Sequence, residues 1–353
     1  MEAYTASSTP IPEIDARLKA RARHVDYAAP PLDLDPEWVQ FENTIDFRLS
    51  FPGTLAAMGQ EMAKYGEAIA AHYAPAEPMH TKLTTKDMIA DNNVPVRVYT
   101  PITGTGPYPL CIFFHGGGFC VGDLDQEDEV CRMVCESTES VVVSVDYRLA
   151  PAFPAPAPRD DCVSSVKWAL RNAVRTLNAK SDAVYFLGGS AGGNLTVATY
   201  LCLHDEGFDL SGVRGLACLI PVFFDRRHLP AEYASRFNAL TQRSDYPVLT
   251  PVSVDAFAEA HAAPATDKYH FPIGQYKDLS VLPRVYVAVS EYDVLKTDGQ
   301  IFDECLEAAG VEHKFDMYEG LPHVFWIGRV PNAIARFEKK TADAVRWLLS
   351  GVE

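Results

Sequence analysis

Ser190 stands in the run Gly188-Gly189-Ser190-Ala191-Gly192, after the apolar Ala183-Val184-Tyr185-Phe186-Leu187 and before an alanine-rich segment of helical character. A serine bounded by glycines between a strand and a helix is held on a sharp turn that exposes its hydroxyl at the end of a sheet. Glycine suits both ends of such a turn, because the backbone is strained there and strand and helix approach closely. The turn proposes a nucleophile. Upstream, His115-Gly116-Gly117-Gly118 directly follows Leu110-Cys111-Ile112-Phe113-Phe114. The main-chain N–H groups of such a loop, together with that of Ala191, are suited to stabilise the oxyanion of a tetrahedral intermediate. Either motif alone has an ordinary explanation, a chance match or a flexible loop. Both in this order, each after a buried-type strand, point to nucleophilic attack on a carbonyl.

A serine nucleophile needs a base, and the base needs an orienting carboxylate. Ten histidines compete for the first role. His323 follows the strand-like residues 315–318 and an expected turn, Glu319-Gly320-Leu321-Pro322, which puts it on a loop at a strand end. The chain order serine, acid, histidine also favours it. His115 belongs to the glycine loop and reads as structural, while His261 and His270 lie where a cap over the site would touch substrate. The acid is expected at another strand end. Residues 285–289 run into Ser290-Glu291-Tyr292-Asp293. Asp293 falls just past the strand and is favoured. Glu291 is closer to the strand, and Asp298 suits a cap of the helix that follows.

The elements that must position these groups follow from periodicity. Val94 to Tyr99 alternates as a strand, and apolar strand-like runs recur at residues 110–114, 141–145, 183–187, 216–220 and 285–289. Helix-type segments at 125–136, 160–170, 192–204 and 300–309 separate most of them, the last closing at Gly310. This alternation predicts an α/β protein with a mostly parallel sheet and helices on both faces. Ligands on such sheets sit at the carboxyl ends of the strands, where the glycine loop and the serine both fall. Residues 1–80 read as helical and loop-rich, and the alternation stops again between 223 and 272. The expected division is an N-terminal helical part of a cap at 1–80, a core at 81–222 and 273–353, and a cap insertion at 223–272.

Composition bounds the answer. The chain has 353 residues, 48% hydrophobic and 22% charged, as an ordinary globular protein does. A net charge of −16 argues against a nucleic-acid or anionic-membrane partner, because phosphate binding needs clustered Lys and Arg. No apolar run has membrane-spanning length and the N-terminus lacks a signal-peptide core, so a cytoplasmic location is expected. Of the eight cysteines, Cys111, Cys162, Cys202 and Cys218 sit in apolar stretches and read as buried thiols. Cys131 and Cys135 have helical spacing but no matching His or Cys pair, so no metal is expected. A face of residues 337–349 offers a homodimer contact, and burial on the chain's own sheet explains that segment equally well.

The sequence resembles the hormone-sensitive-lipase-like branch of the α/β-hydrolase superfamily, which includes many carboxylesterases. The matching pieces span about residues 90–350. They are His115-Gly116-Gly117-Gly118 with Gly122-Asp123-Leu124-Asp125, Asp146-Tyr147-Arg148-Leu149-Ala150-Pro151, Gly188 to Asn194, Ser290-Glu291-Tyr292-Asp293 with Leu295, and Gly320 with His323-Val324-Phe325-Trp326. The resemblance implies an α/β-hydrolase fold with a helical cap, Ser190 as nucleophile, Asp293 as acid and His323 as base. It implies an oxyanion hole from Gly116, Gly117 and Ala191. Three positions depart from the pattern. Gly189 stands where Asp or Glu is frequent, Ala152 where Glu is frequent, and Val324 where Gly is usual.

The expected reaction is hydrolysis of a small carboxylic ester through an acyl-enzyme, with no cofactor and no metal. Phe119 and Cys120, after the glycine loop, and Phe223, Phe224 and Tyr246, in the cap insertion, are candidates to line the substrate site. Ordinary packing explains each of them as well. A capped pocket favours short-acyl or bulky-alcohol esters over long triglycerides. Two alternatives share the motifs. One is a specialised natural-product enzyme (deacetylase, lactonase, acyltransferase or cyclase) on the same triad. The other is a non-catalytic small-ligand receptor, against which His323 weighs.

Overall fold

The computed structural model describes residues 32–75, 77–237 and 243–351. The part of the expected cap before residue 32 lies outside them. Eight strands form one sheet: β1 (Leu83–Ile89), β2 (Pro95–Pro101), β3 (Tyr108–Phe114), β4 (Val141–Val145), β5 (Ala179–Gly189), β6 (Val213–Leu219), β7 (Arg284–Tyr292) and β8 (His313–Pro322). Among the described residues the α-helices are α1 (Pro36–Ile45), α2 (Leu55–His72), α3 (Asp128–Thr138), α4 (Ala157–Asn172), α5 (Ala191–Asp205), α6 (Pro251–His261), α7 (Lys296–Ala308) and α8 (Pro331–Leu348). The strand order is β1-β2-β4-β3-β5-β6-β7-β8. β4, β3 and β5 to β8 run parallel, while β2 is antiparallel to β4 and to β1.

The parallel strands are covered on both faces, as their continuous apolar runs predict. All five residues of β4 are buried. One apolar cluster joins α4, α5 and α7 to the sheet through Val166, Leu201 and Phe302. The other joins α1, α3 and α8 through Trp38, Val134 and Phe337. α8 thus buries a face on its own sheet. No helix among the described residues is long and apolar enough to cross a membrane. Cys111, Cys162 and Cys218 are buried as expected, and Cys202 is only half-buried.

Three differences from the sequence reading have physical causes. β1 carries no apolar alternation, because only Leu83 of its seven residues is buried, and backbone pairing with β2 sustains this edge strand. β5 extends back to Ala179 through the exposed Ser181 and Asp182, beyond the apolar stretch that marked it. The expected turn at 319–322 is the last part of β8. There the Gly320 N–H donates to Glu291 Oε2 at 2.8 Å, and its carbonyl accepts the Asp35 N–H.

Residues from the two expected cap segments meet. Phe51 N–H donates to the Val248 carbonyl, Val248 N–H donates to Leu49, and the Thr250 hydroxyl donates to Phe51 at 2.7 Å. Thr250 also caps α6 in a reciprocal box with Ser253.

Candidate active site

Ser190 joins β5 to α5 with φ 56° and ψ −117°, an unfavourable conformation for a residue with a side chain. The neighbouring glycines serve close approach. A Cβ on Gly192 would lie 1.9 Å from the Phe114 carbonyl oxygen, and one on Gly188 would lie 2.4 Å from the Gly192 backbone. Only Gly lets the helix start this near β3. The Ser190 N–H donates to Leu219 at 2.8 Å, which ties the turn to the end of β6.

His323 follows β8, and Asp293 follows β7. His323 Nε2 lies 3.0 Å from Ser190 Oγ, and His323 Nδ1 lies 2.7 Å from Asp293 Oδ2. All three are buried, at 6, 4 and 1% exposure. A carboxylate only accepts, so the proton sits on Nδ1, and Nε2 is left to accept the serine hydroxyl. Asp293 Oδ1 accepts the Leu295 N–H at 2.8 Å, which fixes the carboxylate. The rivals for the acid have other duties. Glu291 binds the Gly320 N–H. Asp298 accepts the Phe223 and Phe224 N–H groups at 2.8 and 3.0 Å, and burial pushes its carboxyl up to about 7.

The glycine loop is braced from behind. His115 is fully buried, its ring stacks on Tyr147 at 4.1 Å, and the Tyr147 hydroxyl donates to the His115 carbonyl at 2.7 Å. Arg148, next in that motif, grips Asp161 through two nitrogens at 2.8 Å. One expectation fails here. The Gly116 N–H is consumed by Glu127 Oε2 at 2.7 Å, so it is not available to an oxyanion. Among the described residues, no protein acceptor takes the N–H of Gly117, Gly118 or Ala191. Gly118 also needs to be glycine, since a Cβ there would lie 2.3 Å from the Phe257 ring.

Ser190 and His323 open into a largely apolar cavity. Of the residues expected to line it, Phe119 and Phe224 do. Cys120, Phe223 and Tyr246 do not. The Cys120 thiol points to the Phe257 carbonyl at 3.9 Å, Phe223 packs on Phe302 at 4.4 Å, and Tyr246 lies under the Arg243 guanidinium. The walls that sequence reading missed include Phe51, Leu249, Val254, Phe257 and Phe271. No local pattern marks them, because they reach the site from separate segments. His261 and His270 also line it, and both rings pack on Phe119, at 4.1 and 5.0 Å.

Two of the three departures from the family pattern lie beside this site. Val324, on the cavity wall, has φ 44° and ψ 38°, a left-handed conformation that costs a branched residue about 1–2 kcal/mol. Ala152 is exposed. Gly189 abuts Glu127, a buried carboxylate that sequence reading did not single out; its only signal was the empty position at 189.

Buried histidines give the protein a pH limit. Burial lowers the His115 imidazole to about 4 and that of His261 to about 2. Both are neutral when folded, whereas the unfolded chain protonates them below about pH 6.5. Their contribution is therefore complete above pH 6.5 and is lost as the pH falls. Each imidazole contributes a slope of about 1.4 kcal/mol per pH unit. Denaturant midpoints measured from pH 8 to 4.5 are expected to fall steadily below 6.5. A flat profile to pH 5 would contradict neutral burial of these rings.

The α/β-hydrolase fold model matches residues 111–327, and the chain belongs to the α/β-hydrolase family. It is 30% identical over 330 residues to the esterase LipI of Mycobacterium tuberculosis, covering 90% of this chain and 96% of that protein. It is 32% identical over 261 residues to the versiconal hemiacetal acetate esterase of Dothistroma septosporum, covering 73% and 79%. A 277-residue stretch is 34% identical to the FAD-linked oxidoreductase pytB of Aspergillus terreus, of which this chain spans 33%. Among solved structures, a bacterial heroin esterase superposes with a TM-score of 0.75 at 25% identity, covering 90% of this chain and 99% of that one.

Proposed function

We propose that this protein is a serine carboxylesterase of the hormone-sensitive-lipase-like branch, with Ser190 as nucleophile, His323 as base and Asp293 as orienting acid. The hydrogen-bonded chain from Asp293 through His323 to Ser190, buried at one end of the sheet, carries the reading. The protein is a carboxylic ester hydrolase, as esterases among its relatives indicate. His323 takes the Ser190 proton as Oγ attacks the ester carbonyl, then protonates the leaving alcohol and later activates water. Asp293 holds the imidazole tautomer and balances its charge. The free N–H groups of Gly117, Gly118 and Ala191 stabilise the oxyanion.

The segments around Phe51 and residues 248–261 act as a cap, and their apolar side chains set the substrate: a short-acyl or bulky-alcohol ester. A panel of p-nitrophenyl esters tests this. Acetate to hexanoate are expected to turn over faster than chains of about twelve carbons or more, since an apolar cavity of this kind has a finite length. A preference for the longest chains would overturn the substrate class. No ester hydrolysis, with no labelling by a fluorophosphonate, would overturn the enzyme.

A further inference from the structure

Gly189 leaves the nucleophile turn without a side chain, and Trp326 and Glu127 stand just beyond the place a Cβ would take. A Cβ built on Gly189 would lie 3.5 Å from the Trp326 ring and 3.8 Å from Glu127 Oε1, ordinary contact distances. Glu127 stands just before α3 and is 7% exposed. Its Oε2 accepts the Gly116 N–H at 2.7 Å, and its Oε1 accepts the Trp326 indole N–H at 3.4 Å. Gly116 leads into the loop that supplies the free amides. Trp326 lies on the short helical turn Phe325–Ile327, just after His323. One carboxylate therefore links the oxyanion loop to the loop carrying the base, beside the residue preceding the nucleophile.

We propose that Glu127 is a positioning residue for ester hydrolysis, supplying from the start of α3 a carboxylate in place of a side chain on residue 189. Burying it is costly, and burial pushes its carboxyl above the usual carboxylate range, opposed by the Gly116 N–H, the Trp326 indole and His323. Both oxygens are used, so the group is fixed rather than mobile. A Cβ on Gly116 would lie 3.6 Å both from Glu127 Oε2 and from the Ser190 Cβ, so slack at this joint reaches the reacting atoms directly. The inference rests on the reading of Ser190 as nucleophile.

A carboxylate swap tests it. Glu127→Ala is expected to lower kcat about 10²-fold with a smaller change in KM, the size of effect that a displacement near 1 Å produces. Glu127→Gln keeps an acceptor for the Gly116 N–H, gives up only the longer bond from the Trp326 indole, and should stay within about tenfold of wild type. Gly189→Asp alone places a second carboxylate against the first and should cost about tenfold or more. In the Glu127→Ala background the same Gly189→Asp should instead restore about tenfold, a reversal of sign that loss of fold stability does not produce. Melting temperatures show which variants are folded. Undiminished kcat in Glu127→Ala, or no rescue in a folded double variant, overturns the proposal. If Glu127→Ala does not fold, wild-type activity in Gly189→Asp overturns it, and a loss there with Glu127→Gln active supports it. Ser190→Ala, run in parallel, separates the two levels. Activity surviving in that variant refutes the nucleophile. An inactive Ser190→Ala beside an unaffected Glu127→Ala refutes only the role of Glu127.

Discussion

Ser190→Ala is expected to lower kcat for short p-nitrophenyl esters by about 10⁶-fold, close to 8 kcal/mol of barrier, in a protein that remains folded. The size follows from what the hydroxyl does. As the proposed nucleophile it forms and breaks the acyl bond, and among the described residues no other nucleophile shares its place between His323 Nε2 and the free amides of the glycine loop. The fold should be spared because the turn is held by backbone groups. The Ser190 N–H is bonded to Leu219, and the Ser190 carbonyl accepts the Asn194 N–H. Alanine keeps both bonds. A residual rate above water is expected, since the cavity and the amides still bind the ester. Circular dichroism with initial-rate kinetics checks both halves. Near-wild-type turnover by the folded variant would remove Ser190 from the mechanism.

Asp293→Asn should lower kcat by about 10⁴-fold with little change in structure. The replacement has the same shape, and its amide oxygen still accepts the Leu295 N–H that now binds Oδ1. What faces His323 Nδ1 becomes an NH₂ donor. Two donors cannot share that 2.7 Å contact, so the imidazole moves its proton to Nε2 and presents N–H to the serine. It can then no longer take the serine proton at neutral pH. The loss of the carboxylate also removes the charge that balances the imidazolium. The rate of fluorophosphonate labelling should fall with kcat, because both depend on the activated serine. Equal labelling rates in wild type and variant would mean that Asp293 does not set the tautomer.

The rivals show how much of this was legible in the chain. Glu291, Asp293 and Asp298 are close in sequence, and position relative to the strand favoured Asp293. The reason lies elsewhere: Gly320 on β8 occupies Glu291, and the backbone of Phe223 and Phe224 occupies Asp298. The glycine loop was legible as a set of donors, but not which donors. The family resemblance implies Gly116 as an oxyanion donor, but its N–H goes to Glu127, eleven residues on. The glycine loop and the cap insertion offer the expected pocket aromatics. Phe119 and Phe224 face the cavity, while Phe223, adjacent to Phe224, turns into the core against Phe302.

The sequence by itself determined the turn that carries Ser190, the placement of His323 and Asp293 after successive strands, and the parallel α/β layering. These are local: an apolar run of strand length followed by a turn residue fixes where a side chain emerges, whatever else the chain does. The tertiary structure decided which amides remain free, which aromatics line the cavity, and what stands beside the empty position at 189. Those depend on contacts between segments far apart in the chain, such as Phe51 with Val248 and Glu127 with Trp326. Such contacts leave no periodicity behind, because burial and hydrogen-bond capacity at each position are set by its partners and not by its neighbours in sequence.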